Sequence, residues 1–175
     1  MVTSLSDFFR TTLSKGHDYI TVKEERTHIE SYLEIQQFRY QDILDYEIRM
    51  NEEIYSYIIP KLTLQPLVEN ALYHGIKNKR GKGKILITGE KQGDKIIFQV
   101  IDNGKGMTEE ELNNLRKQMA GTDTGDEAKG FGVSNVNQRI KYYYGEEYGV
   151  FFESKENEGT NATIIIAAKN IQLPS

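Results

Sequence analysis

Cysteine is absent from the 175 residues, so disulfides and thiolate metal sites are excluded, and the chain fits a reducing cytoplasmic setting. No run of eighteen apolar residues occurs, which excludes a hydrophobic helix that crosses a membrane. The opening MVTSLSDFFRTTL lacks the basic start, apolar block and small-residue cleavage site of a signal peptide. Excess positive charge is missing too: a formal net charge of -4 exerts no general pull on nucleic acid, and none is expected as a partner. The one basic cluster, KNKRGKGK at 77–84, reads more plainly as a solvated loop than as a nucleic-acid patch. No internal repeat is visible. What remains, 38% hydrophobic and 27% charged residues, suits a soluble globular domain with an accessory segment and enough chain for a core.

Along the chain, residues 3–14 and 24–44 have helical patterning, with SKGHDY as a connector between them. In the second helix Ile29, Leu33, Gln36, Tyr40 and Ile43 recur every three or four residues and form one packing stripe. From Asp45, YEIRMNEEIYSYIIP has the β-branched and aromatic richness of strands, interrupted at MNEE. A helix follows over 63–77, with Thr63 as a cap and Pro66 in its first turn. KILITGE and KIIFQVI, joined by QGD, predict a β-hairpin. DNGKGM is a turn, and TEEELNNLRKQM is a helix with a Thr cap, an acidic first turn and a cationic end. AGTDTGDEAKGFG, 120–132, is small, polar and Gly-rich, which predicts a mobile loop. The helix VSNVNQRIKYYY and strands near YGVFFES and NATIIIAA close the chain, giving an α+β sandwich with helices on one face of a mixed sheet.

Three stretches carry chemistry. In LVENALYHGIKNKR, 67–80, a helical step of about 100° places His74 about 40° and Lys77 about 20° from Asn70, opposite the apolar side, with Glu69 at the boundary. An amide oxygen suits Mg²⁺ and a lysine one turn on suits phosphate, although a solvated face of a core helix would look the same. In DNGKGM, 102–107, Asp102 can accept an N–H donor at a strand end, and Gly104 and Gly106 permit close backbone approach. An ordinary turn has that composition as well. In KGFGVSN, 129–135, two glycines precede a helix whose free N–H groups favour anions, or the stretch is simply a flexible loop with a helix start.

Taken in order, ENALYH, DNGKGM and GFGVSN resemble the N, G1 and G2 boxes of the ATP-binding domain shared by histidine kinases, type II topoisomerases, a heat-shock chaperone and mismatch-repair ATPases. LSDFFRTTL, ITVKEERTHIESYLEIQQFRY, PKLTLQPLVENALYHGIK and GFGVSNVNQRIKYYYG extend the resemblance to the LytS/YesM-like group of bacterial two-component sensor histidine kinases, over roughly residues 5–168. The resemblance implies a two-layer α/β sandwich of the Bergerat type over 45–173, preceded by a helical remnant of the dimerisation region and linker over 1–44. It also implies ATP and Mg²⁺ as cofactors. Glu69 would polarise the attacking imidazole or order a metal water, and Asn70 would hold Mg²⁺ with His74 and Lys77 near the phosphates. Asp102 would accept the adenine amino group, with Gly104, Gly106, Met107 and Thr160 around the base. Gly130, Phe131, Gly132 and Val133 would belong to the lid over the triphosphate.

The expected partners are a histidine-bearing dimerisation helix and the receiver domain of a response regulator, in a homodimeric, membrane-anchored parent whose cytoplasmic end carries this domain. The N-P-H-F-type acceptor segment of the family is missing from this sequence, and His28, in THIES, reads as a surface histidine rather than an acceptor. The chain therefore reads as a catalytic fragment without its own acceptor. The last strand ends IIIAAKN where the family usually has proline, a departure at the sheet edge. Two alternatives stand beside the kinase: an ATP-sensing or regulator-docking module without chemistry, and an ATP-hydrolysing clamp, which the short lid opposes.

Overall fold

The computed structural model describes residues 19–41, 43–77, 81–121 and 131–171, the side chain of Phe131 excepted. The expected helix over 3–14 and most of the 120–132 loop lie outside these residues. Strand β1 (Tyr19–Thr21) leads directly into helix α1 (Val22–Arg39), whose start is locked by a capping box. Thr21 Oγ1 accepts the Glu24 N–H at 3.1 Å while the Glu24 carboxylate accepts the Thr21 N–H at 2.7 Å. Strand β2 (Leu44–Met50), a 3₁₀ turn (Glu52–Ile54) and strand β3 (Ile58–Pro60) follow. Sequence-based reading of 45–60 as strand–turn–strand holds, but β3 leaves the main sheet and pairs antiparallel with β1. Tyr19, expected in a connector, is thus a strand residue.

Helix α2 (Gln65–Asn70) runs on into a π-helical turn over Ala71–Ile76. Strands β4 (Gly83–Gln92) and β5 (Lys95–Asp102) form the expected hairpin, with Gly93 at φ +62° in the turn. Helix α3 (Glu109–Met119), helix α4 (Phe131–Tyr144) and strands β6 (Gly149–Lys155) and β7 (Gly159–Ala167) complete the fold. The five-stranded sheet has the order β2-β4-β5-β7-β6, with β2 parallel to β4 and the other neighbours antiparallel. This mixed α+β arrangement is the one expected.

Alternation sorts the strands into an inner and an outer face. Ile85, Ile87, Phe98, Val100, Ile164 and Ile166 point inward and are buried against the helices, and the residues between them face outward. On α1 the predicted stripe holds at Ile29, Leu33 and Gln36, yet burial is wider and takes in Glu25, His28 and Tyr32. His28 is not a surface residue: only 2% of it is exposed. The turn before α2 reaches Glu25 through the Leu64 N–H and bears on His28 through Lys61, and a single-stripe periodicity does not anticipate that. Thr63 departs from expectation as well. Its hydroxyl donates to the Pro60 carbonyl at 2.5 Å instead of capping α2, and Pro66 occupies the first turn as read.

Candidate functional site

The end of β5, the face of α2 and the wall of α3 enclose a cavity of about 390 Å³. Leu67, Ala71, Val100, Phe152 and Ala162 make its apolar surface, while Asn70, His74, Asp102 and Thr160 bring polar groups to it. Asn70 and Asp102 therefore open onto one space, although one stands on a helix and the other ends a strand. Size and lining suit a small organic ligand with a flat apolar part and a few oriented polar contacts.

Asp102 sits at the floor, 6% exposed. Its Oδ1 accepts the Gly104 N–H at 2.9 Å, so the glycine turn holds the carboxylate from one side. Gly75 of the π turn presses on the same carboxylate: a Cβ there would lie 2.6 Å from Asp102 Oδ1. Gly104 in turn packs so closely that a Cβ on it would collide with the Gly75 backbone, and the Lys105 N–H donates to the Gly75 carbonyl at 3.2 Å. Gly106, at φ +67°, abuts the Lys155 carbonyl. The glycines of this turn thus let backbone approach backbone. Gly106 also lines the cavity, whereas Gly104 does not.

Across the sheet, Thr160 on β7 is the register partner of Asp102 on β5. Ser154 on β6 ties this corner together. It accepts the Met107 N–H at 2.9 Å, donates to the Gly159 carbonyl at 2.9 Å and lies 2.8 Å from Thr160 Oγ1. A hydroxyl has one proton. With Ser154's proton on Gly159, Thr160 donates to Ser154 and keeps its acceptor positions for the cavity. Met107 lines the cavity beside it. Ser154 escaped the sequence reading because nothing local marks a serine near the end of a strand as part of a site.

Helix α2 delivers Asn70 and His74 to the cavity but not Lys77 or Glu69. Lys77 donates its backbone N–H to Leu72 five residues back, at 3.0 Å, which is the π-helical spacing. The extra residue in that turn rotates Lys77 away from the face that a uniform 100° step predicts, by about one such step. Its Nζ instead lies 4.1 Å from the Tyr73 ring centroid and 4.9 Å from that of Tyr40. The lysine pulls the exposed Tyr40 hydroxyl below its usual pKa. Glu69 is exposed and accepts from Gln65 Nε2 at 3.1 Å. The basic residue that does line the cavity is Lys105, which sequence reading passed over within DNGKGM. Asn114, Leu115 and Gln118 of α3 form a wall that was also unassigned.

At the lid end, Gly130 lies outside the described residues, and the backbone of Phe131 starts α4. Gly132 approaches the first turn of α2, where a Cβ would lie 3.3 Å from Pro66 Cβ, and Val133 is buried in the core. Neither lines the cavity. Among the described residues no group of three or more His, Cys, Asp or Glu side chains could hold a metal. The amide oxygen of Asn70, on the cavity wall, is the neutral donor that a Mg²⁺ ion keeping several waters and phosphate oxygens would take. No helix among the described residues is long and apolar enough to cross a membrane.

The family model described as histidine kinase-, DNA gyrase B-, and HSP90-like ATPase matches residues 60–170, and the histidine kinase model matches residues 1–44. The sensor histidine kinase YesM of Bacillus subtilis (strain 168) is 32% identical over 170 residues, covering 97% of this chain and 28% of that protein. The catalytic domain of histidine kinase ThkA in a nucleotide-free form has a TM-score of 0.64 at 19% identity, covering 87% of this chain and 97% of that one. ThkA in complex with response regulator protein TrrA gives a TM-score of 0.62 at 17% identity over 96% of this chain and 48% of that one. A cavity shared by Asn70 and Asp102, on this sheet order and under these matches, places the chain in the histidine kinase-, DNA gyrase B- and HSP90-like ATPase family, as a catalytic domain of the sensor histidine kinase type.

Proposed function

We propose that this domain binds Mg-ATP and transfers its γ-phosphoryl group to a histidine on a dimerisation helix, for relay to the receiver domain of a response regulator. The observation that carries the reading is the shared cavity, onto which Asn70, His74, Asp102 and Thr160 all open. The apolar surface of Val100, Phe152 and Ala162 accepts a purine, and the Asp102 carboxylate takes its exocyclic N–H. Asn70 and His74 face the phosphates, and Lys105 supplies positive charge among the cavity-lining residues. Bound Mg²⁺ would neutralise phosphate charge during in-line transfer. Glu69, exposed beside Asn70, is available to orient an incoming imidazole. Lys77 would join the phosphates only after leaving the Tyr40 and Tyr73 rings. Gly130, Phe131, Gly132 and Val133 remain candidates for the closing lid.

The chain spans 28% of the length of YesM, so membrane anchoring, homodimerisation, a cytoplasmic location and the regulator partner belong to this proposal. The ThkA–TrrA complex supports a regulator partner by analogy of fold. The test mixes this chain, ATP and a separately prepared acceptor fragment. Phosphoryl transfer by the wild type and its loss in Asn70→Asp are expected, and equal transfer by both removes Asn70 from the metal role. One observation favours a second reading, an ATP-sensing or regulator-docking module: Lys77 is held off the cavity by two rings. Nucleotide binding without transfer to a competent acceptor would establish that reading.

A further inference from the structure

Glu25 lies on α1, away from the cavity, yet it is completely buried. Its Oε1 accepts the N–H of Leu64, the residue that caps α2, at 2.9 Å. Backbone N–H groups of Leu62 and Gln65 also favour its ionised form. Helix α2 has no side-chain cap of its own, so a carboxylate from another helix does that work. The same turn is gripped from behind by α4: Arg139 donates to the Lys61 carbonyl at 2.8 Å and to the Leu62 carbonyl at 3.0 Å. Leu62 adopts φ +59°, a left-handed conformation that a leucine reaches only at a cost. Such a conformation persists where its surroundings over-determine it. Glu25, Arg139 and the Thr63–Pro60 bond supply that determination.

We infer that Glu25 and Arg139 are positioning residues for the nucleotide site: together they hold the 61–65 turn, and through it the helix that presents Asn70 and His74. Glu25 lies in the segment matched by the histidine kinase model, and the turn and Arg139 lie in the ATPase segment. The contact is therefore where a shift of α1 is passed to the nucleotide helix. The inference rests on the nucleotide reading above. Burial pushes the Glu25 carboxyl up to about 7, with Arg139 opposing from α4. His28 lies one turn further along α1, where Lys61 of the turn bears on it. A proton on Glu25 removes the charge that strengthens its N–H bonds.

The experiment titrates the full chain calorimetrically with a non-hydrolysable ATP analogue and Mg²⁺ at pH 6 and pH 8, and follows amide exchange over 64–76 in the nucleotide-free chain. Glu25→Ala and Arg139→Lys are expected to weaken binding about tenfold at pH 8 and to speed exchange in this helix. Glu25→Gln, whose amide oxygen still accepts the Leu64 N–H, is expected to recover most of the affinity and to lose the part of the pH dependence that belongs to Glu25. A folded Glu25→Ala chain that binds within twofold of wild type overturns the inference. Should Glu25→Ala not fold, an Arg139→Lys chain with wild-type affinity and a Glu25→Gln chain with the wild-type pH profile overturn it equally. If the wild type binds no analogue, the nucleotide reading fails, and unchanged exchange in the variants then removes the positioning role as well.

Discussion

Gly75→Ala tests the geometry of the cavity floor. The new methyl would lie 2.6 Å from Asp102 Oδ1 and 2.9 Å from Asp102 Cγ, inside any tolerable contact. Gly75 cannot retreat, because Gly104 is packed against its backbone and the Lys105 N–H is bonded to its carbonyl at 3.2 Å. The carboxylate must move instead, giving up the Gly104 N–H bond at 2.9 Å. A hydrogen bond to a charged group contributes about 1.5–3 kcal/mol, and overpacking of this kind costs about 1–3 kcal/mol. If most of the first loss falls on the orientation of Asp102 toward ligand, affinity for an ATP analogue drops about 10- to 100-fold by calorimetric titration. The second loss lowers Tm by a few degrees, at about 2–4 °C per kcal/mol for a domain of this size. Gly93→Ala is the control. It strains a turn at φ +62° with no neighbour within 4 Å, so it should cost stability and leave affinity alone. Wild-type affinity in Gly75→Ala would refute the reasoning, because Asp102 would then not be the ligand's partner or would not be held by this packing.

Asp102→Asn should weaken analogue binding sharply, because an amide N–H₂ would face the N–H donor it now accepts; titration against the wild type reads this directly. Thr108→Ala removes the capping box of α3, in which Thr108 Oγ1 accepts the Glu111 N–H at 3.2 Å, and should cost about 1 kcal/mol in urea unfolding. Two buried groups on α1 should give opposite pH dependences of stability. Glu25 is raised from 4.5 to about 7, so its contribution is complete below 4.5 and is lost as pH rises through about 7, by about 3 kcal/mol. His28 is lowered from 6.5 to about 4 by burial and by Lys61, so its contribution is complete above 6.5 and is lost as pH falls through about 4, by a similar amount. In the wild type the two slopes cancel between about 4.5 and 6.5. Glu25→Gln should leave stability rising with pH through that window, and a flat profile in that variant would contradict the assignment.

Much of the site could be read before the fold was known, because its signals are local. Alternation in 83–102 and the Gly-Asp turn identify the hairpin that ends at Asp102. Thr108 and Glu111 announce α3. The spacing of Asn70 and His74 puts both on the face that meets the cavity, within one helical turn. The same arithmetic fails for Lys77 three residues later, because a π-helical turn intervenes and a wheel assumes a constant step.

The sequence by itself determined α1, the helices and strands from β2 to β7 in their order, and several polar residues that open onto the cavity, Asn70, His74 and Asp102 among them. These follow from periods of 3.6 and 2 and from caps that neighbouring residues form among themselves. Only the tertiary structure decided which backbones touch: Gly75 on Gly104, Ser154 bridging Met107 and Thr160, and β3 pairing with β1 in place of the main sheet. It likewise decided that Glu25 and His28 are buried, which a stripe on one helix does not reveal. The reason is that burial and strand pairing depend on what arrives from elsewhere in the chain: Leu64 is 39 residues from the carboxylate that caps it.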